Sequence, residues 1–169
     1  MQNTLKLYSL DFSDSKAYMY ALLFALGNIV LPQLVHMVPN GGLIWLPIYF
    51  FTLVGSFKYG TKVGLMTALA SPLVNSMLFG MPCAAMLPVI VTKSVLLALI
   101  AGTVASKAKS ASLLMFLVVV FGYQFLGGMF EMLYVGSVEA AVQDVKIGFP
   151  GLLVQIFGGY IFVNNIIRN

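Results

Sequence analysis

The chain has 169 residues, of which 60% are hydrophobic and only 8% are charged. Soluble domains carry about 25% charged residues, so this composition indicates a polytopic helical membrane protein and leaves no room for a soluble catalytic or nucleotide-binding domain. The formal net charge of +4 is read as a topology signal and not as a nucleic-acid footprint, and the single cysteine, Cys83, allows neither an intrachain disulfide nor a multi-cysteine metal site.

The apolar runs are continuous and do not alternate, which excludes a β-barrel. Residues 1–16 are mixed and polar, with no basic segment leading into a short apolar core, so no cleavable signal is expected. A first span is predicted at about 17–37, with Pro32 kinking its far end, followed by the turn Pro39-Asn40-Gly41-Gly42. Two adjacent apolar blocks follow, a second span at 43–57 and a third at 61–79 that contains Pro72, joined through Lys58-Tyr59-Gly60-Thr61-Lys62. Such a pair, with its lysines in the joint, is the pattern of a helical hairpin in a bilayer. After the turn Gly80-Met81-Pro82 come a fourth span at 83–105, a polar joint at 107–110, and a fifth span at 111–135. The longest loop, 136–147, carries Glu139, Asp144 and Lys146, and a sixth span occupies 148–167. The expectation is one all-α domain, 1–169, with six transmembrane helices. Lys6, Lys16, Lys58, Lys62, Lys107, Lys109 and Arg168 fall on one side and only Lys146 on the other. The positive-inside rule then puts both termini in the cytoplasm.

Polar residues inside apolar runs mark the candidate site. Lys93 lies mid-way along the fourth span, where an unpaired lysine costs about 2.5–3.5 kcal/mol on insertion scales. It needs a partner, either Glu131 of the fifth span or a carboxylate or phosphate on a ligand. His36 stands at the end of the first span, and Asn75 and Gln124 are amides that need partners in hydrocarbon. Together with Trp45 and Tyr123, these residues could line a polar pocket in the outer half of the bundle, though the aromatic residues, with Tyr49 and Tyr134, also suit an interfacial belt. Ala17, Ala21 and Ala25 recur every fourth residue. Such a small-residue stripe serves either packing within the chain or docking of a separate membrane subunit. Walker, dinucleotide, zinc-protease and serine-triad motifs are absent, and one histidine makes no metal site.

The Ala17–Ala21–Ala25 stripe, the run from Trp45 to Pro82 with its Leu-Pro and its Gly-x-x-x-x-Leu-x-Ser-Pro-Leu helix, and six spans together resemble the substrate-binding S-components of energy-coupling-factor (ECF) vitamin transporters. The resemblance implies high-affinity capture of a small micronutrient from outside, in a cavity under the outer loops. It implies docking through the alanine stripe on a transmembrane coupling subunit with two cytoplasmic ATPases, in a prokaryotic plasma membrane, with no cofactor. Lys93 points to an anionic group on the substrate, whether pantothenate, folate or another vitamin acid, while His36 and the aromatic residues would suit a porphyrin or corrin. The rival readings are a structural subunit without a ligand and an intramembrane enzyme using His36 and Glu131 as acid and base.

Overall fold

The computed structural model describes residues 9–107 and 111–166, so Lys6, Lys109 and Arg168 of the charge argument lie outside the described residues. Those described are helical, without a strand. Four helices are long and apolar enough to cross a membrane: α1 (Ser15–Val35), α4 (Thr61–Phe79), α5 (Leu87–Lys107) and α6 (Leu113–Val135). A fifth is gained if α7 (Val138–Lys146) and the C-terminal helical segment Phe149–Asn165, which meet at 57°, are taken as one bent span.

The second expected span is not one helix. It divides into α2 (Gly41–Trp45), a 3-10 turn over Pro47–Tyr49 and α3 (Phe50–Tyr59). The break is at Leu46, whose φ of 47° and ψ of 48° are left-handed. The cause is Pro47, which lacks an N–H and crowds the residue before it out of the right-handed helical region. A broken helix leaves first-turn N–H groups without partners. The Asn28 side chain on α1 accepts one of them, from Phe51 N at 3.0 Å. The same asparagine donates to Thr52 Oγ1 at 2.9 Å and Ser71 Oγ at 3.3 Å. Pro32 has no N–H to offer the carbonyl of Asn28, and the Asn75 side chain takes that role at 3.0 Å. Pro32 and Pro47 are therefore accommodated by one ladder of amides and hydroxyls between α1, α3 and α4.

The fourth span starts at Leu87 rather than 83. Pro88 suits a first helical turn, and the Cys83 carbonyl accepts from the Met86 and Leu87 N–H groups at 3.0 Å each. The loop expected at 136–147 contains α7, whose N-cap Ser137 accepts from Ala140 N at 3.3 Å. Glu139 in its first turn and Lys146 in its last match the helix dipole. None of its residues is buried. The C-terminal segment is helical throughout, with π turns at Val154–Gly158 and Phe162–Ile166.

α3 is the centre of the fold. Every residue from Thr52 to Tyr59 is buried, Lys58 in its last turn included, as befits a helix surrounded on all sides. It packs against α1, α4 and α5, and Phe57 stacks on Phe116 of α6 at 4.6 Å. On α1, Leu22, Leu23, Leu26 and Val30 are exposed, which is the apolar surface a lipid-facing helix presents.

The alanine stripe faces inward. Ala17, Ala21 and Ala25 are 0%, 5% and 4% exposed, and Thr67 of α4 reaches the Ala21 carbonyl at 3.4 Å. Of the two alternatives for the stripe, this burial favours packing within the chain: small side chains at this spacing let α1 approach α3 and α4. Ala21→Leu should therefore destabilise the detergent-solubilised protein by the roughly 1–3 kcal/mol that overpacking costs, read as a lowered melting temperature. An unchanged melting temperature with lost complex formation would restore the docking reading.

Candidate functional site: a polar cavity at one end of the bundle

The connections 36–42, 80–86 and 136–148 gather at one end of the helices, and a cavity of about 450 Å³ opens there. Its wall includes Leu46, Pro47, Ile48 and Tyr49, the irregular stretch between α2 and α3. Non-helical backbone at membrane depth is tolerated where it is buried in protein or lines a cavity. Binding sites in transporters are built from broken helices of this kind.

Four of the sequence-derived candidates meet in this cavity: His36, Asn75, Lys93 and Glu131. Lys93 is 2% exposed, and its ammonium donates to Glu131 Oε2 at 2.5 Å. This is the helix-to-helix ion pair that the sequence left as one of two alternatives. A second acid completes the group: Asp144 of α7 accepts from the same ammonium through Oδ2 at 2.8 Å. α5 and α6 are close enough for this because Gly127 faces the lysine stem; a Cβ there would sit 2.5 Å from Lys93 Cγ. The Lys93–Asp144 pair also ties α7 across the cavity end of α5.

His36 donates through Nδ1 to the Pro32 carbonyl at 2.6 Å. A carbonyl only accepts, so the proton of this bond is on Nδ1. The ring lies over Gly42, where a Cβ would come within 2.6 Å of Nε2. Asn75 accepts from Gln33 Nε2 at 3.2 Å, linking the cavity wall to the ladder around Asn28. His36 and Glu131 are thus held by separate partners, and no hydrogen bond joins them.

The other candidates lie elsewhere. Tyr123 and Gln124 do not line the cavity. The Tyr123 hydroxyl donates to Gln155 Oε1 at 2.8 Å and accepts from Gln124 Nε2 at 3.1 Å, forming a buried polar cluster between α6 and the C-terminal segment. Tyr49 bridges the two regions, lining the cavity while its ring packs on Tyr123 at 5.5 Å. Trp45 is 41% exposed and absent from the cavity wall, because α2 turns its side chain away while its backbone lies against Gly151. Tyr134 is exposed and stacks on Phe130 at 5.9 Å. Sequence reasoning passed over Gln33, Gln143 and Asp144, all in the cavity wall. Asp144 was legible only as a charge in a polar loop, although Ser137 followed by Glu139 signals the helix that carries it.

Among the described residues no group of three or more His, Cys, Asp and Glu could hold a metal ion. What the cavity offers is a mostly apolar chamber with a few convergent polar groups, within the usual volume range of small-molecule sites, about 300–1,000 Å³. No family model matches this chain, and neither a curated protein nor a solved structure matches it.

Proposed function

We propose that this chain captures a small micronutrient from outside the cell, as the substrate-binding subunit of an ECF-type importer. One observation carries the reading: the cavity of about 450 Å³, walled by an interrupted helix and furnished with His36, Asn75, Lys93 and Glu131. In this proposal the broken path Gly41–Tyr59 and the segment Phe149–Asn165 each count as a pass, which brings the passes to six. Lys16, Lys62 and Lys107 lie at the end opposite the cavity, so the positive-inside rule directs the cavity outward and the termini toward the cytoplasm. The ATPases and coupling subunit of the assembly are partners of the proposal, and α7 with the turns at 36–42 and 80–86 would cover the bound ligand. The surface for the coupling subunit is then something other than the buried alanine stripe.

The test is native mass spectrometry of the detergent-purified chain, before and after incubation with a vitamin panel. A retained mass in the vitamin range that is lost on mutation of the cavity wall is the expected result. A chain that stays empty under all conditions would leave the structural-subunit reading in its place.

A further inference from the structure

We propose that the ligand of this cavity is a small organic molecule bearing a cationic nitrogen. The inference rests on the substrate-capture reading above and concerns the charge class of the molecule captured. Among the described residues the charged side chains of the cavity wall are Lys93, Glu131 and Asp144. Two carboxylates face one ammonium, so this group of three side chains carries one excess negative charge. Each acid spends a single oxygen on Lys93, Oε2 of Glu131 and Oδ2 of Asp144. Glu131 Oε1 and Asp144 Oδ1 receive no hydrogen bond from any described residue. Glu131 is 5% exposed, so most of its side chain is out of water while its open oxygen still reaches the cavity. An uncompensated buried charge is expensive, and the excess is offset when a cation enters and supplies N–H donors to the open oxygens.

The lysine alone would favour an anion, but its ammonium is already shared by two carboxylates. A carboxylate on the ligand would compete with both of them and raise the negative charge of the site further. A metal cation fits poorly, because the Lys93 ammonium occupies the ground between the acids and, among the described residues, no third metal-ligating group joins them. The open polar positions thus lean toward acceptors, the complement of an amine, an amidine or a charged nitrogen heterocycle.

The experiment uses the full chain in detergent with yeast extract as the probe, separated by ion exchange at neutral pH into cationic, neutral and anionic pools. Each pool is incubated with the protein and the retained mass is read by native mass spectrometry. The expected result is a ligand retained from the cationic pool, bound roughly 10- to 100-fold more weakly by Asp144→Asn, with Asp144→Glu recovering most of the affinity. A ligand drawn from the neutral or anionic pool, or a cation whose affinity Asp144→Asn leaves unchanged, overturns the charge assignment while capture stands. Retention from none of the pools overturns capture itself and this inference with it.

Discussion

Lys93→Met is expected to destabilise the protein more than replacement of either acid. The variant removes the sole ammonium between Glu131 and Asp144 and leaves two carboxylates facing each other across the cavity end of α5 and α6. Breaking a buried pair from one side costs about 3–5 kcal/mol, which corresponds to a fall on the order of 10 °C in melting temperature for a chain of this size. Methionine keeps the unbranched stem beside Gly127, so packing changes little and the effect reports charge. Asp144→Asn should behave oppositely. It leaves a neutral Lys93–Glu131 pair, removes the excess charge and is expected to hold or slightly raise the melting temperature. The triple variant Lys93→Met/Glu131→Gln/Asp144→Asn should recover much of the loss, because an uncharged site of similar shape avoids the desolvation of all three groups. Thermal unfolding in one detergent ranks the series. A Lys93→Met no worse than Asp144→Asn would mean that the ammonium does not neutralise the acids.

The same variants separate stability from binding. A group that only holds helices together would lose binding in step with melting temperature. Under the proposals above, Asp144→Asn weakens capture while the fold is preserved, since the charge it removes is the one the ligand would answer. Stability given up at a binding site is a common trade, and under the proposals above the open oxygens of Glu131 and Asp144 are where it would be found.

What could be read from the sequence follows from where polar residues are conspicuous. His36, Asn75, Lys93 and Glu131 stand out because their neighbours are apolar, and all four reach the cavity. Asp144 and Gln143 sit among polar residues, where one more charge signals nothing, and only the fold of α7 brings them to Lys93. Tyr123 and Gln124 were equally conspicuous but bond to each other and to Gln155 Oε1; hydropathy registers a need for a partner and not who the partner is. The four long helices were legible from continuous apolar length. The break at Leu46 was not, because Leu-Pro inside an apolar run also fits a mild kink, and the choice depends on Asn28 being there to accept from Phe51. The alanine stripe looks the same in sequence whether the helix it admits belongs to this chain or to another.

Asn28 is accordingly where a neutral substitution should do most harm. Its side chain is fully buried, accepts the Phe51 N–H and donates to Thr52 and Ser71. Asn28→Leu is close in size, yet it leaves a first-turn N–H of α3 without a partner in apolar surroundings, together with two hydroxyls deprived of a donor. At about 1–3 kcal/mol for each buried group left unsatisfied, the loss should be on the order of 3 kcal/mol. It should reach the cavity as well, because the turn Pro47–Tyr49 that precedes Phe51 forms part of the cavity wall. Melting temperature and ligand retention should therefore fall together. Asn75→Leu should cost less, since it strands the carbonyl of Asn28 while that of Ser71 keeps its place in the backbone ladder of α4, and an under-satisfied carbonyl is better tolerated than an orphaned N–H. Pro32→Ala restores an N–H facing the Asn28 carbonyl, so Asn75→Leu should be milder in that background than in the wild type. A double-mutant cycle measures the difference. Additive effects would show that the proline and the amide do not share that carbonyl, and an Asn28→Leu protein as stable as the wild type would remove the ladder as the reason the broken helix holds.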